Sequence, residues 1–370
     1  MEAFRPLGFD KWLFSTTLVL LVLGLVMVFS ASGMIAVANH QHPFYFVIQQ
    51  LTGAAAGLVF VLLMLSFRRP LYQHPAVVMG LLVVTLGLLV LCFVMPPVAR
   101  TNRWVVLPGF RFQPSELAKI SLVLFLSWYL DRQKDKISEW RALLAPAGVV
   151  FFFVLLILKE PDFGTALLTF GICAFLLYLG GVKLKYFVAL ALVSVPLFVY
   201  YVLSAGYRLE RIQAFISPDK NLQSLNFQVA QSKLAVGAGG LLGVSLGEGV
   251  QKLFFLPCPH TDFLFAVIGE ELGLLGTLAT VVLFVIILWR GIVISMKAPN
   301  ISSQLTAAGL TLLITIQALL NMTVVLGLGP AKGVPLPFLS FGRSSLMTSL
   351  LAVGILLHIS QRKDIGRGSA

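Results

Sequence analysis

Long apolar stretches separated by short polar connections dominate this chain. A helix of roughly 17–25 apolar residues spans the hydrocarbon core of a bilayer, which is about 30 Å thick. Ten stretches have this character, at about 13–37, 44–66, 76–95, 114–130, 142–158, 162–180, 187–204, 262–289, 302–326 and 343–360. The pattern predicts an all-α, polytopic integral membrane protein with about ten transmembrane helices in a single domain over 1–370.

Composition agrees with this prediction. Hydrophobic residues make up 58% of the 370 residues and charged residues only 11%, whereas soluble domains carry about a quarter charged residues. The first stretch, 13–37, is too long for the core of a cleaved signal peptide, so we expect it to remain as a signal anchor. Cys92, Cys173 and Cys258 are odd in number and lack the spacing of metal ligands, which predicts neither a disulfide framework nor a zinc site.

The positive charge is distributed as in a membrane protein. Most Lys and Arg residues fall in the short connections on the side of the two termini, which predicts that both termini are cytoplasmic. The net charge of +12 is therefore interpreted as a topology signal, and a nucleic-acid partner is not expected. The connections predicted to face outward are 38–43, 96–113, 159–161, 205–261 and 327–342.

One outward connection, 205–261, is long. It contains amphipathic segments such as YRLERIQAFI, in which Arg208 and Arg211 lie off the apolar face. Between 237 and 249 it becomes rich in glycine but lacks the phosphate-binding patterns of nucleotide sites. We expect a flexible or tightly turned loop there rather than a nucleotide site.

Ionisable residues recur where the outward connections meet the apolar stretches. Arg103 and Trp104 could bind an anionic ligand such as a lipid pyrophosphate, or simply contact headgroups. Glu116 and Lys119 are three residues apart on one predicted helix face and can pair, either to fix helix register or to line a cavity. Glu160 flanks a tight turn at the next such position.

Further polar residues occupy the same predicted face. Asp162 follows Glu160 across Pro161, and Asp262 falls in the first predicted turn of a later helix, where the helix dipole favours an anion. Farther along that helix, Glu270 is predicted to join a deeper cavity network, and Glu271 to pack against a polar partner. Ser344 and Ser345 can cap the last helix, or leave N–H groups free for a phosphate.

Five segments in this order carry a family resemblance: RW at 103–104, QPSELAK at 113–119, EPDFGTA at 160–166, HTDFLFAVIGEELG at 260–273 and GVPLPFLSFG at 333–342. Over nearly its whole length the chain resembles the SEDS (shape, elongation, division and sporulation) family, and its short amino-terminal tail makes it most similar to the elongation-type members. It departs from the usual family pattern at Gln49, Cys258 and Arg343.

The resemblance implies a peptidoglycan glycosyltransferase that polymerises lipid II at the outer face of the cytoplasmic membrane during elongation and rod-shape maintenance. It also implies that Asp262 matches an essential aspartate of the family and that a class B penicillin-binding protein is the partner. The other functions considered are a lipid II flippase and a non-catalytic scaffold. The ionisable residues cluster near one face, which favours surface chemistry over transport.

The expected mechanism uses Asp262 as a general base towards the acceptor sugar hydroxyl. The leaving pyrophosphate would be held by cations, with a divalent metal such as Mg or Mn as an alternative. The cations considered are Arg103, Lys119, Arg208 and Arg211, while Glu116 would orient Lys119 and His260 is a polar neighbour without an assigned role.

Overall fold

The computed structural model describes residues 8–67, 69–97, 101–107, 110–137, 139–189, 225–253, 256, 259–329 and 333–365, and also 192, 196 and 203. Its helices are α1 (Lys11–Ala38), α2 (Tyr45–Ser66), α3 (Pro75–Val94), α4 (Pro114–Arg132), α5 (Trp140–Lys159), α6 (Phe163–Leu179), α7 (Leu225–Ala238), α8 (Leu264–Met296), α9 (Ile301–Val325) and α10 (Arg343–Ile365). A single 3₁₀ turn covers Leu71–Gln73, and two short strands, β1 (Val105–Leu107) and β2 (Phe110–Phe112), form a hairpin.

The predicted all-α polytopic membrane fold is confirmed. Nine of the ten predicted spans coincide with a helix, and the span predicted at 187–204 lies largely outside the described residues. Within the described part of the chain, seven helices are long and apolar enough to cross a membrane, and α6 is a shorter apolar helix. The hairpin and α7 were not predicted.

Helix α4 lies at the centre of the bundle. It packs against α3, α6 and α9, and 14 of its 19 residues are buried. Outer helices instead expose large apolar side chains, such as Val83 on α3 and Phe151 on α5, which a bilayer would cover. Since α4 is shielded from lipid by protein, it can carry charged residues that would be costly on an outer helix.

Helix α8 is broken at Gly273, where φ is +65°. The break frees backbone groups, and the glycine-rich loop after α7 binds them. Val244 N–H donates to the carbonyl of Glu270 at 3.0 Å, and Leu274 N–H donates to the carbonyl of Gly240 at 2.9 Å. Backbone polar groups must be paired at membrane depth, so this loop completes the hydrogen bonding of α8.

Close approach explains why glycine is needed in that loop. A Cβ on Gly243, where φ is +81°, would lie 2.1 Å from the carbonyl oxygen of Glu271. Of the two forms predicted for the glycine-rich stretch, the structure therefore has the tightly turned one.

Candidate active site

Several helix ends meet at one end of the bundle. Asp262 lies there in a turn just before α8, which begins at Leu264. The predicted position in the first helical turn is therefore wrong by a short distance, since Asp262 precedes the helix. The side-chain amide of Asn321 on α9 donates 2.8 Å hydrogen bonds to the carbonyls of both Asp262 and Val334, which fixes the turn against the segment 333–342.

The Asp262 carboxylate lies against a glycine. A Cβ on Gly333 would come within 3.0 Å of its Oδ2 atom, so a side chain at that position would crowd the carboxylate. Asp262 is half-buried, and no described residue donates a hydrogen bond to its carboxylate oxygens.

Arg103 connects the first outward segment to the turn between α5 and α6. Its Nε atom donates to the carbonyl of Glu160 at 3.0 Å, its Nη2 atom donates to the carbonyl of Pro161, and Nη1 lies 4.0 Å from Oδ2 of Asp162. Its guanidinium therefore holds the turn that presents both acids. Trp104, next to it, is half-buried.

The Asp162 carboxylate accepts hydrogen bonds from three protein donors. It caps α6, accepting a 3.1 Å hydrogen bond from Thr165 N–H and a 2.9 Å hydrogen bond from the Thr165 hydroxyl. The side-chain amide of Gln113 donates a further 3.2 Å hydrogen bond to Oδ2. Donors of this kind stabilise a carboxylate anion.

Glu160 has a different environment. Its side chain is fully buried, and within the described part of the chain neither carboxylate oxygen has a hydrogen-bond partner. Burial and the charge of Asp162 raise its pKa to about 8, although Arg103 partly offsets them. Glu160 is therefore mostly protonated at neutral pH.

Asp162 and Arg103 also act electrostatically on Asp262. Burial, and after it the negative charge of Asp162, raise its pKa to about 6, and Arg103 partly offsets them. Arg103, Glu160, Asp162 and Asp262, although far apart in the sequence, thus form one electrostatic unit, here called the acid cluster. A carboxylate with a pKa near 6 remains ionised at pH 7 and is a stronger base than an ordinary aspartate.

The Glu116–Lys119 pair forms as predicted, with 2.9 Å between Nζ and Oε1, but it is buried. Nζ also donates to Oε1 of Gln317 at 2.7 Å, and the amide of Gln317 donates to the carbonyl of Pro335 at 3.0 Å. The predicted contact of Lys119 with a pyrophosphate is therefore not supported, because burial and two partners occupy its ammonium group. The pair instead braces the 333–342 segment, which carries Gly333.

His260 packs between the rings of Phe46 and Phe341, with centroid distances of 4.7 and 5.6 Å. Burial lowers its pKa to about 4, so it is neutral at physiological pH. These contacts place His260 in an aromatic cluster with Phe46 and Phe341.

The two serines before the last helix also differ from prediction. Helix α10 begins at Arg343, so Ser344 and Ser345 lie within its first turn and do not cap it. The Ser344 hydroxyl accepts a hydrogen bond from Gln113 N–H at 3.1 Å and donates to the carbonyl of Arg111 at 3.2 Å. It joins the hairpin to α10, whereas the Ser345 hydroxyl is buried without a partner among the described residues.

Three residues from the sequence analysis, Arg208, Arg211 and Cys258, lie outside the described residues. The structure adds four supporting residues that were not singled out, namely Gln113, Gln317, Asn321 and Gly333. Gln113 and Gly333 stand within the segments that carried the resemblance. Gln317 and Asn321 are four apart, which places two amides on one face of an apolar helix, and this signal was present in the sequence.

A divalent metal was considered from the sequence. Among the described residues, no group of three or more His, Cys, Asp or Glu side chains could hold a metal ion. Mg²⁺ is commonly bound by one or two carboxylates together with substrate phosphates. Asp162, together with substrate phosphates, fits that smaller set of ligands.

A bundle of apolar helices that gathers three acids and an arginine at the ends of its helices defines a polytopic membrane protein with a polar site at one end of the bundle. The chain belongs to the FtsW/RodA/SpoVE family, described as "Cell cycle protein", which it matches over residues 11–365.

Curated relatives are similar over almost the whole chain. It is 42% identical over 363 residues to a probable peptidoglycan glycosyltransferase FtsW of Trichlorobacter lovleyi, covering 97% of this chain and 95% of the relative. It is 38% identical to stage V sporulation protein E of Bacillus subtilis, covering 95% of this chain and 97% of the relative. These names do not support the elongation-type assignment made from the amino-terminal tail.

Solved structures share the fold. One, described as the structural coordination of polymerization and crosslinking by a peptidoglycan synthase complex, is 25% identical with a TM-score of 0.79, covering 96% of this chain and 98% of that chain. The crystal structure of the rod shape determining protein RodA of Thermus thermophilus is also 25% identical, with a TM-score of 0.70 and coverage of 97% and 98%.

Proposed function

We propose that this protein is a peptidoglycan glycosyltransferase that polymerises lipid II, with Asp262 as the general base. The observation that carries the proposal is the half-buried Asp262 carboxylate, which has no hydrogen-bond donor among the described residues and interacts electrostatically with Asp162 and Arg103. The names of the relatives support the same reaction. In this proposal, lipid-borne substrates reach Asp262 at the end of the bundle.

In the proposed reaction, a hydroxyl of the acceptor sugar attacks the anomeric carbon of the donor sugar. Asp262 takes the hydroxyl proton as the new C–O bond forms, and the bond to undecaprenyl pyrophosphate breaks with its electron pair leaving on the pyrophosphate. The transition state resembles an oxocarbenium ion. A single displacement of this kind inverts the anomeric centre.

The leaving pyrophosphate needs positive charge nearby. Among the described residues, Arg103 is the cation proposed to hold the pyrophosphate, because its guanidinium lies 4.0 Å from the Asp162 carboxylate. Arg208 and Arg211 remain predicted contacts. A divalent cation such as Mg²⁺ or Mn²⁺ is also proposed; Asp162 and the substrate phosphates would hold it, and it would supply charge neutralisation at the pyrophosphate.

We propose that the site faces the outside of the cytoplasmic membrane, as the distribution of Lys and Arg residues predicts. A class B penicillin-binding protein is the proposed partner, since a chain of the same fold belongs to a complex described as coordinating polymerization and crosslinking. A role in division is proposed instead of elongation, because relatives up to 42% identical are named FtsW. Complementation tests this choice: the gene should rescue loss of a division-type relative and not loss of an elongation-type one.

The activity is tested with purified protein and labelled lipid II in detergent, alone and with the transpeptidase partner. We expect glycan chains from the wild type and none from Asp262→Asn. Asp135→Asn, at an exposed position between α4 and α5, is the matched control and should polymerise normally. Movement of lipid II across a vesicle bilayer without polymer would support a flippase, and no reaction in either assay would support a scaffold.

A further inference from the structure

An exposed glycine, Gly333, lies beside the Asp262 carboxylate. Its φ lies outside the left-handed region, whereas Gly327 in the same connection has a φ of +70°. The backbone conformation therefore does not require a glycine at position 333, and an alanine can adopt the same φ. The missing side chain, rather than the backbone, distinguishes this position.

The space beside Gly333 is bounded by Asp262. A Cβ at this position would lie 3.0 Å from Oδ2 and 3.8 Å from Cγ of Asp262, and apart from the adjacent residues of the chain no other described residue comes within 4 Å of it. Even a close C–H···O contact keeps the carbon and oxygen about 3.3–3.6 Å apart. The side chain that Gly333 lacks would therefore press on the Asp262 carboxylate and on little else.

The backbone on both sides of this contact is fixed. The side-chain amide of Asn321 donates 2.8 Å hydrogen bonds to the carbonyls of both Asp262 and Val334, the residue after the glycine. Farther along the same segment, the N–H of Phe341 donates to the carbonyl of His260 at 2.8 Å. The two segments cannot move apart to relieve an added side chain without losing these hydrogen bonds.

The exposed glycine marks an open side of Asp262. Phe263 and Leu264, which follow Asp262 in the chain, are buried, whereas Gly333 is exposed. A hydroxyl that gives its proton to a carboxylate must come within about 2.6–3.2 Å of one of its oxygens. A hydroxyl that approaches over Gly333 meets Oδ2 without crossing a side chain at that position.

We propose that Gly333 forms part of the acceptor subsite: the acceptor sugar of lipid II packs on the exposed backbone of Gly333 while its hydroxyl hydrogen-bonds to Oδ2 of Asp262. This inference rests on the proposed glycosyltransferase function. A hydroxyl on a sugar ring is flanked by ring carbons and needs more room than a water molecule does. A methyl group at position 333 therefore excludes the acceptor sugar from Oδ2 before it excludes water.

The test enlarges Gly333 in two steps, with Gly333→Ala and Gly333→Val. The matched controls are Gly329→Ala and Gly329→Val, because Gly329 lies in the same connection, has a φ outside the left-handed region, and would place a Cβ 3.7 Å from its nearest neighbour. The assay uses purified full-length protein and labelled lipid II. A displacement of about 1 Å at a reacting group costs about 100-fold, so kcat/KM should fall about tenfold for Gly333→Ala and about 100-fold or more for Gly333→Val, while both controls stay within about twofold of wild type.

The chemical accessibility of Asp262 gives a second readout that does not depend on glycosyl transfer. At pH 6, close to the pKa of Asp262, the protein is treated with a water-soluble carbodiimide and glycine ethyl ester, which convert a reachable carboxyl group into an amide. Modified Asp262 is quantified by mass spectrometry of its peptide. Wild type and the Gly329 variants should be modified to the same extent, and Gly333→Val severalfold less.

The two readouts separate this inference from the proposed function. Full polymerisation by both Gly333 variants, with none by Asp262→Asn, would overturn the acceptor subsite and leave the proposed function standing. No polymer from wild type, or normal polymer from Asp262→Asn, would overturn the proposed function, and the carbodiimide reaction would still show whether Gly333 controls access to Asp262.

Equal modification of Asp262 in wild type and Gly333→Val would overturn the subsite, as would an equal loss in the Gly329 and Gly333 variants. Thermal unfolding identifies any variant that does not fold. If Gly333→Val is one of these, Gly333→Ala, which keeps the backbone conformation, carries both measurements.

Discussion

The charges of the acid cluster predict how the reaction rate depends on pH. If deprotonated Asp262 is the base, the rate should be high above its pKa and fall as the pH drops through about 6. The rise from 3.8 to about 6 corresponds to about 3 kcal/mol in favour of the protonated form. Burial is the largest cause, Asp162 the second, and Arg103 acts in the opposite direction.

Two substitutions should therefore move the midpoint of the pH–rate profile in opposite directions. Asp162→Asn removes a negative charge but keeps an acceptor for Thr165 N–H, and it should lower the midpoint to roughly pH 5–5.5. Arg103→Gln removes a positive charge and should raise the midpoint to roughly pH 6.5–7.

The assay follows polymerisation of labelled lipid II by each purified variant between pH 4.5 and 8.5, with the binding of substrate held at saturation. The quantity compared is the pH at half-maximal rate, so a uniform loss of activity does not count for or against the reasoning. Asp135→Asn should leave the midpoint near 6. Shifts in the same direction for Asp162→Asn and Arg103→Gln, or no shift in either, would refute the electrostatic account of Asp262.

Two further predictions concern stability and are read from thermal unfolding in detergent. Gly243→Ala should destabilise the protein by more than about 2 kcal/mol, because its Cβ would meet the Glu271 carbonyl at a positive φ. The control, Gly237→Ala, lies in a helix with open space around it and should be neutral or stabilising. Equal effects of the two substitutions would contradict the role given to the glycine-rich loop. Burial raises the pKa of Glu160 from 4.5 to about 8, so its contribution to stability is fully present below pH 4.5 and is lost as the pH rises through 8. Glu160→Gln should accordingly be more stable than wild type at pH 8.5 and close to it at pH 5; the same difference at both values would show that Glu160 does not titrate in this range.

Helix positions were predictable from the sequence because the length of an apolar stretch is fixed by the thickness of the bilayer. The Glu116–Lys119 pair was predictable for a similar reason, since residues three apart share a helix face. The polar partner expected for Glu271 was found as Lys252 and Ser30, which bind its carboxylate. The sequence did not indicate which residues these would be.

Contacts between distant segments could not be predicted from local pattern. Asp162 and Asp262 are 100 positions apart, and their proximity depends on how α6 and α8 pack around α9. The burial of Lys119 and His260 could not be predicted either, because both side chains are polar yet lie inside the bundle. The break at Gly273 was hidden because the apolar pattern continues through it.

The central claim, that Asp262 removes the proton from the acceptor hydroxyl, is tested most directly by the rate of undecaprenyl pyrophosphate release from lipid II at pH 7.5. General base catalysis contributes about 100- to 10,000-fold, so Asp262→Asn should slow release by that range relative to Asp135→Asn. A rate for Asp262→Asn equal to that of the control would contradict the assignment.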